Sequence, residues 1–176
     1  MIPTLTTDRL ELRALNHGDW NAYAAMWADA RVTAFIGGAP RPRDVAWAKF
    51  GQAVAMWPLF GYGNWAVIDR ADATFLGVCG FARYERAISE LDGYPEAGWA
   101  FTAQIWGRGI ASEAVGAALS WADASTIAET RCLIDDANVA SVRVATRNGY
   151  VHCATLTDKC VFRRPLPSTG AGRVPS

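Results

Sequence analysis

The chain has 176 residues, of which 51% are hydrophobic and 19% are charged, and this composition excludes an intrinsically disordered protein and fits one folded domain. Its 17 basic residues balance its 17 acidic residues, so the basic excess typical of nucleic-acid binders is missing and we expect no nucleic-acid partner. No apolar run approaches the ~20 residues that a membrane span needs, and we expect no membrane partner.

The N-terminus and the cysteines predict a cytoplasmic protein. Residues 1–8 lack the basic and apolar regions of a signal peptide. The four cysteines form no C-x-x-C pair and have no histidine at metal-ligand spacing, so we expect no metal site. We interpret them as buried free thiols in a reducing compartment, with a disulfide pair as the alternative. These residues are Cys79, Cys132, Cys153 and Cys160.

The first third of the chain predicts one strand and two helices. Residues 8–15 alternate apolar and polar side chains, as a strand with one buried face does. Asp19 is a suitable N-cap for a helix that runs to about Ala28, in which aromatic residues recur at helical spacing. A second helix is predicted over residues 44–57, because Pro58 disfavours a helical conformation of the residue before it.

The rest of the chain predicts six strands and two helices. The strands are predicted at 64–69, 75–84, 96–101 and 130–135, with a final hairpin of two strands at 151–163. The helices are predicted at 109–121 and 138–148, before and after the strand at 130–135. The order lacks the strict alternation of a doubly wound fold, so we predict an α+β protein with a mixed sheet. Residues 1–164 are expected to form one domain, and the Pro- and Gly-containing segment 165–176 a disordered tail.

One loop has the properties of a phosphate site. Gly107 and Gly109 stand between a predicted strand and a predicted helix, where they can expose their N–H groups without a side chain in the way. The helix that follows adds unpaired N–H groups and the positive end of its dipole, a combination that binds phosphate. A helix start that merely contains glycine is the alternative. A dinucleotide fingerprint is excluded, since Ser112 replaces its third glycine.

This loop also carries a family resemblance. Gln104-x-x-Gly107-x-Gly109 matches the Q/R-x-x-G-x-G/A signature of the GNAT superfamily of acyl-CoA N-acyltransferases. Other segments resemble the branch of that family that contains the ribosomal-protein N-terminal acetyltransferases. They are TDRLELR at 7–13, EAGW at 96–99, WGRGIASEA at 106–114, N-x-x-S at 138–141 and GY at 149–150. The likeness spans about residues 4–164, with its motifs in the correct order.

The resemblance implies a GNAT-like fold and a cosubstrate. The fold is a twisted, mostly antiparallel sheet of about seven strands and about four helices, splayed between strands four and five. Acetyl-CoA would lie in that opening, and no metal is needed because acyl transfer relies on positioning and charge stabilisation. Its pantetheine would pair with the backbone at Trp99, Ala100 and Phe101. The remaining implied contacts are Gln104, Trp106, Gly107, Arg108, Gly109, Ile110, Ala111, Asn138 and Ser141.

Attack of an amine on a thioester requires a group that accepts a proton and one that can protonate the departing thiolate. Glu96 is the predicted base, acting through water, with an exposed carboxylate at the strand edge as the alternative. Many relatives place a tyrosine as the acid where this chain has Ala145, so Ser141 or water is expected to meet the thiolate. Asn138 also suits a helix N-cap, and Tyr150 is expected in the core.

Three functions remain open at this point. The first is an N-acetyltransferase that moves an acetyl group to a primary amine, either a protein N-terminus or a small molecule, by direct attack in a ternary complex. The second is a non-catalytic acyl-CoA-binding module of the same fold, and the third is a structural domain that binds no nucleotide. We expect a monomer or homodimer. Five aromatic residues could line the acceptor wall or fill the core: Trp27, Phe35, Trp57, Phe60 and Tyr62.

Overall fold

The structure is a computed structural model and describes residues 1–165. Its strands are β1 (Leu5–Thr6), β2 (Leu10–Ala14), β3 (Asn64–Asp69), β4 (Phe75–Ala82), β5 (Glu96–Phe101), β6 (Glu129–Asp135), β7 (Val151–Thr155) and β8 (Lys159–Pro165). Its helices are α1 (Trp20–Ala28), α2 (Ala30–Thr33), α3 (Arg43–Phe60), α4 (Ile110–Asp123) and α5 (Val139–Arg147). The eight strands form one sheet in the order β1-β2-β3-β4-β5-β6-β8-β7, and only the β5–β6 pair is parallel.

Helices cover both faces of the sheet. Strand β3 lies inside the sheet, between β2 and β4, and its side chains alternate between the two faces as a strand requires. Trp65 and Val67 belong to a core with α4, whereas Ala66 and Ile68 belong to a second core with α1 and α3. All four are buried. The sequence NWAVID therefore reads as a nearly continuous apolar run, which is typical of a strand covered on both faces.

The sheet opens between β5 and β6. These strands share one paired position, Glu96 opposite Arg131, next to a hydrogen bond from the Arg131 amide to the Pro95 carbonyl at 3.0 Å. By contrast, β5 pairs with β4 along its whole length, from Glu96 to Phe101. The other edge of β5 is thus left without a strand partner after Glu96, which is the splay that the family resemblance implied.

The predicted α+β architecture is confirmed, with two short additions. The structure has eight strands and five helices among the described residues, one strand and one helix more than predicted. The additional elements are β1 and α2, of two and four residues. Helix α3 continues to Phe60 and contains Pro58, so its predicted end at residue 57 was wrong. Pro58 lies in the last turn, where it removes a single helical hydrogen bond, and Gly61 then ends the helix in a left-handed conformation. Pro165 ends β8, and residues 166–176 of the predicted tail lie outside the described residues.

The start of α1 differs from the prediction in its chemistry. Asp19 occupies the N-cap position but makes no side-chain capping bond to α1. Its carboxylate instead accepts two hydrogen bonds from Arg13, at 2.8 and 2.7 Å, and one from the Asn16 amide at 2.9 Å. Asn16 is the residue that caps, since its side chain accepts from the Gly18 amide at the preceding 3-10 turn. Asp19 therefore pairs with Arg13 on β2 and does not cap α1.

The cysteines are free but not all buried. Cys79 and Cys132 lie in the core, whereas Cys153 is exposed and Cys160 is half-buried, so the prediction of burial was wrong for the last two. Within residues 1–165, no cluster of three or more histidine, cysteine or acidic side chains is placed to hold a metal ion. No helix in the same range is long and apolar enough to cross a membrane.

Candidate active site

The predicted phosphate loop is an amide-lined turn at the start of α4. Gly107 and Gly109 have φ of 77° and 78°, a left-handed conformation that favours glycine. The amides of Trp106 and Arg108 bond within the loop, at 3.4 Å to Ala103 and 3.3 Å to Ile105. The amides of four other loop residues donate no hydrogen bond to any group in the part of the chain that the structure describes. These residues, Gly107, Gly109, Ile110 and Ala111, all line one cavity.

The N-terminal segment holds this loop in place. The Glu113 carboxylate, in the first turn of α4, accepts from the Thr7 hydroxyl at 2.5 Å and from Nε of Arg9 at 2.7 Å. Arg9 also donates to the Arg108 carbonyl at 3.0 Å. Partial burial alone would raise the pKa of Glu113, but the hydrogen bonds from Thr7 and Arg9 lower it overall. The TDR motif at 7–9 therefore fastens the amide turn to the edge of the sheet.

A cavity of about 440 Å³, here called the cofactor-side cavity, extends from the amide turn to the opening beside β5. Ten of the twelve residues implied as cofactor contacts line it: Trp99, Ala100, Phe101, Trp106, Gly107, Gly109, Ile110, Ala111, Asn138 and Ser141. The side chains of Gln104 and Arg108 are exposed and do not line it. The Phe101 carbonyl already accepts from the Trp106 indole at 3.2 Å.

The sequence interpretation missed the cations at the rim of this cavity. Arg143 and Arg147 lie one turn apart on α5, are exposed and both line the cofactor-side cavity. Residues separated by four positions share a helix face, so the two guanidinium groups can approach one ligand. The sequence signal for them was the four-residue spacing of two arginines in the predicted helix 138–148. This spacing did not stand out because arginines are numerous throughout the chain.

Ser141 lies where two cavities meet. The Asn138 side chain accepts from the Ser141 amide at 3.1 Å, which confirms Asn138 as the N-cap of α5. The Trp99 indole donates to the Ser141 hydroxyl at 3.3 Å, across the opening from β5 to α5. Because the indole N–H can only donate, the Ser141 hydroxyl keeps its own proton available for another acceptor.

A second cavity of about 180 Å³, the acceptor-side cavity, adjoins the first. The two cavities share six lining residues, namely Phe35, Ile36, Trp99, Ala100, Asn138 and Ser141. Glu96 lines only the acceptor-side cavity. Two ligands bound in these cavities would therefore meet at Trp99 and Ser141, with the Glu96 carboxylate on the side of the smaller one.

Glu96 is buried and carries an ion pair. Its two carboxylate oxygens accept from Nε and Nη2 of Arg86, at 2.7 and 2.9 Å, and its side chain is 10% exposed. Burial alone would lower the pKa of Arg86, but the hydrogen bond and the charge of Glu96 raise it overall. The exposed-carboxylate alternative is therefore wrong. Each oxygen keeps a lone pair that a water molecule or an amine could use.

The remaining predicted residues divide between core and cavity. Ala145 is fully buried, and the Tyr150 hydroxyl bonds to Thr130 at 2.7 Å in the core, as expected for Tyr150. Trp27 and Phe35 line the acceptor-side cavity. Trp57 packs edge-on against Trp65 in the core, and Phe60 stacks on Tyr62 away from both cavities.

Comparison with known proteins decides the family. The family described as Acetyltransferase (GNAT) domain matches residues 9–151. The chain belongs to the GNAT acetyltransferase family. A crystal structure of the acetyltransferase from Agrobacterium tumefaciens str. C58 is 30% identical, with a TM-score of 0.82 over 93% of this chain and 95% of that one. The uncharacterized protein YkkB of Bacillus subtilis (strain 168) is 28% identical over 155 residues, 86% of this chain and 87% of that protein.

The GNAT fold also extends to ribosomal-protein acetyltransferases. The structure of RimL, a ribosomal L7/L12 alpha-N-protein acetyltransferase in complex with coenzyme A, has a TM-score of 0.75 over 93% of this chain and 98% of that one. At 16% identity this likeness shows the shared fold. The GNAT fold uses acetyl-CoA, and GNAT acetyltransferases act on amine acceptors such as protein N-termini. The protein is accordingly an acyltransferase enzyme.

Proposed function

We propose that residues 1–164 form a single N-acetyltransferase domain that transfers the acetyl group of acetyl-CoA to a primary amine, in a ternary complex and without a metal ion. The observation that carries this proposal is the meeting of two cavities at Trp99 and Ser141. One cavity has the free amides of Gly107, Gly109, Ile110 and Ala111 and the rim arginines, which suit a phosphate-bearing cosubstrate. The other contains the Glu96 carboxylate, where an amine could lose its proton.

The proposed reaction is direct transfer of the acetyl group from sulfur to nitrogen. The neutral amine nitrogen attacks the thioester carbonyl carbon, a C–N bond forms and the C–S bond breaks. The proton that the amine gives up passes through a water molecule to Glu96, on a lone pair that Arg86 does not use. The departing thiolate accepts a hydrogen bond or a proton from the Ser141 hydroxyl, whose oxygen accepts from the Trp99 indole. Ser141 regains any proton it gives up from solvent water, and Glu96 releases its proton to solvent. The products are an N-acetylated amine and coenzyme A.

Binding and transfer are tested together. Acetyl-CoA should raise the melting temperature in a concentration-dependent way, because any ligand of the native state does so, whereas NAD and ATP should have much smaller effects. Release of free thiol from acetyl-CoA, followed against a panel of amines and peptides, measures transfer. Binding without release for any acceptor would favour the acyl-CoA-binding module, and equal effects of the three nucleotides would contradict a specific acyl-CoA site.

Ser141→Ala should lower kcat more than it lowers affinity for acetyl-CoA. A hydrogen bond to a charged group contributes ~1.5–3 kcal/mol, so removing the hydroxyl from the thiolate should reduce kcat by about 10–100-fold. Single-turnover rates at saturating acetyl-CoA measure the effect. Ser120→Ala is the control, because Ser120 lies on α4 and donates only to the Gly116 carbonyl. A Ser141→Ala rate equal to that of the control would exclude the hydroxyl and leave water as the proton source.

A further inference from the structure

We propose that the acceptor is a small amine that also carries a carboxylate, of the amino-acid class, and that Lys49 is the counter-ion of that carboxylate. The inference rests on the proposed function, because it names the substrate class of the acceptor-side cavity. It is carried by the position of Lys49 on α3, by the hydrogen bonds that engage the other charged side chains of the cavity, and by the size of the cavity.

Lys49 lies on the stripe of α3 that faces the acceptor-side cavity. Four residues of this helix line the cavity at positions i, i+3, i+4 and i+7, namely Lys49, Gln52, Ala53 and Met56. This spacing places them on one face of a helix. The Lys49 side chain is half-buried, and its Nζ lies 5.1 Å from the centre of the Trp27 ring. The ammonium group is therefore held at the cavity wall against an aromatic face.

The ammonium group of Lys49 has no carboxylate partner within residues 1–165. Among the other charged residues of the cavity, Glu96 is engaged by Arg86 in two hydrogen bonds. The Asp135 carboxylate accepts from the Ala137 amide at 3.1 Å and so caps the turn before α5. Partly buried charges are normally paired or hydrogen-bonded, and among the described residues Lys49 is the charged residue of this cavity that has neither kind of partner.

A second cation, Arg41, lies beside Lys49. Arg41 also lies 5.1 Å from the centre of the Trp27 ring, and its Nε is a buried donor without an acceptor in the described part of the chain. Burial first, and then the positive charges of Arg41 and Arg86, lower the pKa of Lys49, although Glu96 offsets part of this effect. An anion placed beside Lys49 would relieve the repulsion and stabilise its charged form.

A buried donor lies beside the same ring face. Trp27 lines the acceptor-side cavity, and its indole N–H is buried and finds no acceptor in full hydrogen-bond geometry among the described residues. A contact from the Trp27 indole offsets part of the rise that burial causes in the pKa of Tyr23, so the Tyr23 hydroxyl is a partial acceptor for this indole although the pair falls short of full hydrogen-bond geometry. Unpaired buried donors are uncommon in folded proteins, and a bound acceptor group would satisfy this one.

The size of the cavity selects a small molecule. At about 180 Å³ the cavity is smaller than the ~300 Å³ at which drug-sized pockets begin. Because Glu96 and Lys49 line the same small cavity, the amine and the carboxylate of one amino-acid-sized ligand can reach the two groups together. A polyamine would instead bring a second cation toward Lys49 and Arg41, which is unfavourable.

The test uses matched acceptors with the full-length protein. Each free amino acid of a panel is compared with its C-terminal amide, its decarboxylated amine and a tripeptide that begins with the same residue. We expect kcat/KM for the free amino acids to exceed that for the amide and the amine by at least ~10-fold, because one charge-assisted contact is lost in each. Lys49→Met should remove this preference. Lys159→Met should keep it, because Lys159 pairs with Asp158 at 2.8 Å outside this cavity.

Binding without turnover separates this inference from the proposed function. With coenzyme A in place of acetyl-CoA, free amino acids should raise the melting temperature more than their amides do, and Lys49→Met should abolish the difference. If this binding preference holds but no acceptor is acetylated, the subsite stands and the proposed function fails. If amines or tripeptides without a free carboxylate near the amine react as well as the amino acids, or if Lys49→Met behaves as wild type, the inference fails. The same conclusion follows if no amino acid binds.

Discussion

Gly109→Val should reduce the affinity for coenzyme A by at least ~100-fold while leaving the domain folded. The substitution places a β-branched side chain at φ of 78°, where the amide turn faces the cofactor-side cavity. Two or more charge-assisted hydrogen bonds to the pyrophosphate would be lost, each worth ~1.5–3 kcal/mol. A Cβ at this position would meet only Arg9, at 3.6 Å, so the interior is not overpacked. Isothermal titration calorimetry with coenzyme A measures the loss.

The control for this substitution must share its backbone strain. A side chain in the left-handed region costs ~1–3 kcal/mol wherever it occurs, so Gly109→Val is also expected to lower the melting temperature. Gly93→Val meets the same strain, since Gly93 has φ of 80° and open space around its Cβ position, but it lines neither cavity. The two variants should melt alike and bind coenzyme A differently. Normal binding by Gly109→Val would place the pyrophosphate elsewhere.

The fold could be predicted where apolar residues follow a clear strand or helix pattern. Predicted strands 64–69 and 96–101 coincide with β3 and β5, because alternation and apolar runs are local properties of the chain. Strand β1 has two residues, which is too short for any period to be visible. It is held instead by pairing with β2 and by a hydrogen bond from the Trp65 indole to the Pro3 carbonyl, a contact 62 residues apart. Such a contact exists only after the chain has folded.

The two parts of the candidate site, the amide turn and the acceptor-side cavity, differ in how local they are in the sequence. The amide turn could be predicted, because Gly107, Gly109 and the helix that follows them lie within a few residues of one another. Of the acceptor-side cavity only single residues could be predicted, namely Glu96, Trp27 and Phe35, because the cavity joins side chains of α1, α3, β5 and the segment before β5. Arg86 was not predicted as the partner of Glu96 because nothing local marks a pair formed across a loop, and Lys49 could not be matched with Trp27 before α1 and α3 were packed together.

Glu96→Gln should lower kcat by about 10²–10⁴-fold, the range typical of general base catalysis, with little change in affinity for acetyl-CoA. The amide keeps the shape of the side chain but removes its negative charge and its basic oxygen. The wild-type rate should rise with pH as the acceptor amine loses its proton. Rates are compared near neutral pH with saturating acceptor, because an amine that deprotonates by itself at high pH would partly rescue the variant.

The ion pair with Arg86 makes a second variant necessary. Glu96→Gln also leaves the partly buried Arg86 guanidinium without its counter-charge, so a displaced loop could lower kcat for a purely structural reason. Arg86→Gln breaks the same pair but keeps the carboxylate. If Glu96 accepts the proton, Arg86→Gln should retain most of kcat, and the double variant should be as slow as Glu96→Gln. If the pair serves only to position the loop, the two single variants should lose activity equally, and catalysis would then rest on the alignment of the two substrates at Trp99 and Ser141.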